Sequence, residues 1–398
     1  MPGVATGRGV GGEPRDGIVG GEPREGIVAG GPDDYLEVRH VVVRGTNRQI
    51  GEELALLARD RHGVVPARGG EPLVTRARRR WYQREWPAHY ERMRGVADVH
   101  GVDVHDDTVE LGLLPWLGSP AVGCSVAWLP PAVTATGHPT HSRNYDFPTG
   151  TLTEILGGEA QPGELPMTAR PYVVETRPTN GGPACLFVCA YELLGGCIDG
   201  VNEEGLVVAL LADDESGSGD ATLAPAVGLN EIQLLRFVLE TCVDTCEARE
   251  ALLSAKQHFM FLPCHFLVAD ARGDSFVWER TGSREYVVDG GGGVQVVTNH
   301  LLHGRPSLAD LPPDDGPSAT YARARRLTEA VTARTAPLST GDIEAAHACV
   351  HREDPGSPTR TLWHGIYDAA DRTLDVSFYL GDAPDGGVRR SPYLSFGL

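Results

Sequence analysis

The sequence predicts an α+β domain in which antiparallel sheets are layered with a few long helices. Three observations lead there. Apolar runs of strand length recur from Cys124 onward, most of them bounded by turn residues. Helical periodicity is confined to a few long stretches. No Pro/Ser linker interrupts the chain after residue 33, so a single domain accounts for residues 34–398. With 398 residues, of which 41% are hydrophobic, the chain can fill one large core.

Residues 1–33 carry a near-duplicate, "GGEPRDGIV" followed by "GGEPREGIV", in a setting rich in Gly, Pro and charge. That composition predicts a disordered leader. Order is expected to start in the strand-like "DYLEVRHVVVRG", which ends at Gly45. A helix follows from Thr46 or Asn47, since Ile50, Leu54 and Leu57 recur on one face. A second, Arg-rich helical region surrounds Trp81, Trp86, Tyr90 and Met93 and is interrupted at Pro87. The later strands are "CSVAWL", "HPTHSRNYDF", "YVVET", "ACLFVCAYE", "GLVVALLA", "CHFLVAD" with "SFVWER", "VQVVTN", and "LWHGIYD" with "LDVSFYLG". Helices intervene near 228–254 and 318–334, and a third starts at Ser339, where Asp342 completes a capping-box spacing. Asn202, in "VNEEG", reads as a turn residue.

A net charge of −19 argues against nucleic acid or an anionic membrane surface as partner, because both would repel the chain. No apolar run approaches the twenty or so residues of a membrane span, and the first residues lack the apolar core of a secretion signal. A cytoplasmic location is therefore expected. Eight cysteines in such a setting read as free, mostly buried thiols, and no metal-ligand spacing is completed among them. No metal or cofactor is expected.

Chemistry concentrates in one hairpin. A strand leaves Cys124 and a second returns to Arg143-Asn144-Tyr145-Asp146. In an antiparallel pair the start of the first lies beside the end of the second, so thiol, guanidinium and carboxylate meet at one edge. Arg143 would favour a thiolate and lower the Cys124 pKa. Two bases are open. A papain-like arrangement would use a histidine, His138 or His141. The alternative is the α-amine of Cys124 itself, freed by cleavage after Gly123, with an ordinary pKa of about 7.7–8.0. Gly123, lacking a Cβ, would tolerate the strained turn that such self-attack requires.

The run "GCSV…GHPTHSRNYDF", with "DGVNEEGLVVALL", "TNH" at 298–300 and the closing "LWHGIYDAADRTLDVSFYLG", resembles the N-terminal nucleophile (Ntn) hydrolases. Within them it is similar to the autoprocessing isopenicillin-N acyltransferase-like group, and more distantly to choloylglycine hydrolases. The resemblance implies a four-layer αββα fold and an enzyme acting on linear amides through a Cys124 thioester. It implies self-cleavage between Gly123 and Cys124, dividing the domain into 34–123 and 124–398, with the two fragments staying associated. Asp146 would bind the new amine, Arg143 would position the thiol, and the amide N–H of Asn299 would stabilise the oxyanion. Tyr145 and Arg323 are candidate substrate-binding residues. The expected partner is a small amide or acyl donor.

The chain departs from the family pattern in two places. No second asparagine stands near Ala212, so any further oxyanion donor there would be backbone. Thr320 occupies a position where relatives often carry arginine, which leaves Arg323 as the substitute. Two rival readings remain: a papain-like hydrolase that is never cleaved, and a non-catalytic binding protein that keeps the fold.

Overall fold

The computed structural model describes residues 24–116, 123–216, 227–257, 263–281, 284–305, 307–313, 316, 318–354 and 356–398. Two sheets lie face to face. The larger has nine strands: β1 (Arg24–Ala29), β2 (Val38–Gly45), β5 (Tyr172–Pro178), β6 (Cys185–Cys189), β7 (Asp199–Asn202), β8 (Val207–Ala212), β9 (Cys264–Ala269), β10 (Ser275–Thr281) and β11 (Arg284–Asp289), in that spatial order. All its neighbours are antiparallel except β2 and β5. The smaller sheet runs β12 (Gln295–Val297), β3 (Gly123–Leu129), β4 (Thr140–Pro148), β13 (Thr359–Asp368), β14 (Thr373–Asp382) and β15 (Val388–Arg390), with β16 (Leu394–Gly397) also on β14.

Helices cover both outer faces. α1 (Asn47–His62), α5 (Glu231–Thr241) and α6 (Thr245–Ser254) pack on the larger sheet, with α3 (Pro87–His100) on α1 and α2 (Pro72–Glu85) on α3. α7 (Thr320–Thr332) and α8 (Thr340–Ala348) pack on the smaller sheet, and β3 meets β8 between the two. A single turn, α4 (Leu152–Ile155), lies outside these layers. The result is the four-layer αββα arrangement of an Ntn-hydrolase fold.

The sequence explains why β3 occupies the centre. Cys124, Val126 and Trp128 fall in the main core, whereas Ala127 and Leu129 join Leu327, Val331, Ile343 and Ala346 beneath α7 and α8. Both faces of the strand are apolar, so both are covered. Helix starts follow their caps. Thr46 caps α1 and Ser339 caps α8, each in a full capping box. α1 and α3 come close because Gly51 and Gly95 face each other's backbone: a Cβ on Gly95 would stand 2.1 Å from the carbonyl oxygen of Arg48. Asn202 organises its turn, accepting from the N–H groups of Glu204 (3.1 Å) and Leu206 (3.0 Å).

Two expectations are corrected, and three strands carry no clear mark in the sequence. The helix expected over 228–254 is two helices, broken where Asp244 caps the second. Strands β11, β15 and β16 lack the dense apolar pattern that marks the others, because they are partly exposed. The predicted leader of residues 1–33 also contains ordered structure. Residues 1–23 lie outside the described residues, but Arg24–Ala29 pairs along β2 as an edge strand. Glu25 holds Arg39 at 2.7 Å, and Ala29 is buried. The apolar triplet Ile27-Val28-Ala29 outweighs the Gly/Pro composition around it, because β2 otherwise ends the sheet with unpaired backbone groups.

Deleting residues 1–33 is therefore expected to destabilise the protein, on the order of 2 kcal/mol for the lost strand pairing. A shift of the urea midpoint measures it. An unchanged midpoint would show that β1 adds nothing to stability.

Candidate active site

Local pairing assembles the first part of the site. Gly123 stands opposite Asp146, Cys124 opposite Tyr145, and Val126 opposite Arg143. Arg143 is thus the diagonal neighbour of Cys124 on the same face, within reach of a long side chain. Its Nη2 donates to Cys124 Sγ at 3.2 Å and to the Leu210 carbonyl at 2.6 Å, while Nη1 donates to the Ile198 carbonyl at 2.9 Å and to Asp199 Oδ2 at 2.5 Å. Asp199 also accepts from the Tyr367 hydroxyl.

The second part comes from α7 and the segment after β12. Asn299 Oδ1 accepts from the backbone N–H of Cys124 (3.0 Å) and from Arg323 Nη2 (2.6 Å), and its Nδ2 donates to the Ala212 carbonyl (2.9 Å). Arg323 Nη1 donates to the Cys124 carbonyl (2.6 Å) and approaches Asp146 Oδ2 (3.4 Å). Thr361 donates to Asp146 Oδ1 at 2.6 Å, and Thr320 Oγ1 accepts from the Asn299 N–H at 2.8 Å. Cys124, Arg143, Asp146, Asn299 and Arg323 are thus one connected, buried set.

The comparisons with known proteins bear on this set. The family model "Acyl-coenzyme A:6-aminopenicillanic acid acyl-transferase" matches residues 137–382, which include Arg143, Asp146, Asn299 and Arg323 and begin after Cys124. The chain belongs to this acyl-transferase family. Several solved structures are similar in fold. Penicillin V acylase from Agrobacterium tumefaciens is 17% identical, with 64% of this chain and 82% of that chain covered and a TM-score of 0.43. The Caenorhabditis elegans ortholog of N-acylethanolamine-hydrolyzing acid amidase is 15% identical, covering 69% and 99%, at 0.43. Conjugated bile acid hydrolase from Clostridium perfringens is also 15% identical, covering 69% and 97%, at 0.40. No curated protein matches the chain.

In this acyl-transferase family member, burial dominates the electrostatics. Burial raises the Cys124 thiol above its ordinary pKa, and the charge and N–H of Arg143 pull it down by less. Arg143 therefore acts in the expected direction, but the thiol is buried and desolvation outweighs the cation. Burial likewise raises the Asp146 carboxyl against the opposing pull of Arg323, and lowers Arg323. Their 3.4 Å contact is too loose to offset the loss of water. Burial works against Arg143 too, yet Cys124 and Asp199 beside it hold it above its ordinary value.

Other site residues are placed as follows. Tyr145 packs into the core beside Cys124: its ring stacks on Trp363 at 3.9 Å and its hydroxyl bonds Tyr191. Arg323 is walled in beside Cys124, with its donors on Cys124, Asn299 and Ser318. Gly123 sits in regular strand, outside the positive-φ residues, so no strained turn explains it. The donor end of the Asn299 amide points to Ala212, and its acceptor end to Cys124. Asp199, Thr361 and the Leu210 carbonyl are site groups that sequence reasoning missed. Asp199 opens the quoted run "DGVNEEGLVVALL", but nothing local marks it as a partner of Arg143.

The histidines lie elsewhere. His141 pairs with Trp128, four residues and roughly 13 Å along β3 from Cys124. His138 bonds Asp368 at 2.9 Å beyond that. With Asp371 these two form the one grouping of metal-ligand spacing among the described residues, remote from the thiol.

Burial lowers His141 to about 3. An unfolded chain protonates this group near pH 6.5, so between about 6.5 and 3 the unfolded state holds the extra proton. Stability is lost as pH falls through that window, by up to about 1.4 kcal/mol per pH unit for this group. His141→Gln should flatten the acid limb of a stability–pH curve from denaturant unfolding by that amount. A limb of unchanged slope would mean that His141 is not held neutral.

Proposed function

We propose that the chain is an N-terminal-nucleophile cysteine amidohydrolase or acyltransferase that activates itself by cleaving the Gly123–Cys124 bond. The observation that carries this reading is the clamp on Cys124. Its sulfur faces Arg143 at 3.2 Å, while its backbone nitrogen faces Asn299 Oδ1 at 3.0 Å. Cleavage before Cys124 turns that amide nitrogen into an amine with a hydrogen-bond acceptor already in place. No histidine is needed as base, and among the described residues none bonds the sulfur.

The proposed reaction uses one residue as nucleophile and base. The Sγ–H proton passes to the Cys124 amine, and sulfur attacks the carbonyl carbon of a linear amide. Asn299 spends one Nδ2 hydrogen on Ala212 and has a second to donate to the developing oxyanion. Collapse returns the proton to the leaving amine and leaves a Cys124 thioester. Water then releases an acid, or a second amine takes the acyl group. Asp146, opposite Gly123, holds the amine side of the site through its charge. The substrate is a small molecule acted on in the cytoplasm. No described helix is long and apolar enough to cross a membrane.

In this reading residues 34–123 become a small chain that stays bound to the large chain, 124–398. β2 pairs with β5 from Arg39 to Gly45, Trp116 N–H donates to the Tyr191 carbonyl at 3.0 Å, and Arg92 meets Glu240 in the core. The fragments should co-elute in native buffer and separate only in denaturant. Fragments that part in native buffer would contradict this.

Intact-mass measurement tests the cleavage itself. Wild type should give two masses meeting at Gly123/Cys124, and Cys124→Ala a single full-length, inactive chain. Normal processing in that variant would sink the assignment. Cys124→Ser should process far more slowly, since a hydroxyl is a weaker nucleophile at neutral pH.

The acidic limb of activity should belong to the Cys124 amine. The Asp146 charge favours its protonated form, so Asp146→Asn should lower activity and move the limb to lower pH. His138 and His141 variants should leave it in place. A histidine variant that erases the limb would transfer the base to that histidine.

A further inference from the structure

We propose that Asp199 is a positioning residue that sets the charge state of the nucleophile: by balancing Arg143 it keeps Cys124 a thiol until the residue's own amine can take the proton. The inference rests on the reading of Cys124 as nucleophile.

The geometry is a chain across the sheet interface. Asp199 on β7 receives Arg143 Nη1 at 2.5 Å and the Tyr367 hydroxyl, and Arg143 Nη2 reaches Cys124 Sγ at 3.2 Å. All four side chains are buried. Charges without water must be paired, because an unpaired buried ion is strongly destabilising. Arg143 and Asp199 sum to zero, and so do Arg323 and Asp146 on the other side of Cys124. Ionising the thiol would therefore add one unmatched negative charge.

The amine removes that penalty. When the proton moves from Sγ–H to the Cys124 amine, thiolate and ammonium form together on one residue, and the sum stays zero. Without Asp199 the count changes: Arg143 alone would be the unmatched charge, and a free thiolate would satisfy it. The other titratable neighbours do not supply the missing charge. Tyr145 on β4, Tyr367 on β13 and Tyr191 after β6 are phenols pushed upward by burial, as is the Cys197 thiol before β7. His141 on β4, which also faces Arg143, is held neutral by burial.

The test follows the ultraviolet absorbance of the Cys124 thiolate against pH. Each protein is compared with its own Cys124→Ala counterpart, and the readout needs neither cleavage nor substrate. Asparagine can still accept from Arg143, so Asp199→Asn removes charge and keeps the contact. Its titration should move about one pH unit or more below wild type. Asp199→Glu should titrate like wild type, even if packing lowers its rate. Tyr367→Phe takes a donor from Asp199, strengthens its negative field and should move the titration upward. An Asp199→Asn titration that stays or moves up overturns the proposal, as does a Glu variant that moves like Asn. If Asp199→Asn does not fold, Tyr367→Phe decides: an upward shift supports the proposal and no shift overturns it. Failure of the nucleophile reading would show separately, as normal processing in Cys124→Ala.

Discussion

Arg143 is the point at which the two sheets and Cys124 are joined. Its guanidinium leaves β4 in the smaller sheet and spends its donors on Asp199, the Ile198 carbonyl and the Leu210 carbonyl of the larger one, with Cys124 Sγ completing the set. A buried cation with fewer partners would be expensive, and removing one member of such a pair typically costs ~3–5 kcal/mol. That constraint fixes the separation and register of the sheets around the sulfur. The position of the sulfur is therefore a property of the interface between layers, not of the hairpin alone.

Burial has a second consequence. The same dryness that makes Arg143 hold its partners also raises the thiol and the Asp146 carboxyl. Burial favours the neutral thiol, and a further positive charge beside it would favour the thiolate. An amine on Cys124 would supply that charge at the cleaved bond itself. Autoprocessing and activation would then be one event in physical terms: cutting the peptide would create the base, and the base would release the nucleophile.

The chain before Gly123 is a structural partner and not a disposable leader. It contributes β1 and β2 to the nine-stranded sheet and α1 and α3 to the outer layer. The parallel β2–β5 pairing crosses the proposed boundary, and parallel strands need a long connection between them. Here that connection includes the segment that leads into Gly123. The proposed cleavage point thus falls in a crossover whose two ends are already held in one sheet.

Sequence by itself determined the α+β class, the caps at Thr46 and Ser339, the turn at Asn202, and the hairpin that brings Cys124 beside Arg143 and Asp146. These depend on neighbours close in the chain, where propensity, periodicity and antiparallel pairing decide the outcome. The edge strand β1 was hidden because composition is averaged over a segment, while three apolar residues suffice once β2 offers an unpaired edge. Tertiary structure alone decided which charges meet. Asp199 reaches Arg143 across two sheets, Arg323 arrives from α7, and Tyr145 turns into the core because β4 is covered on both faces. No local pattern records those contacts, since each depends on how separately formed layers pack and on the requirement that every charge shut away from water find its opposite.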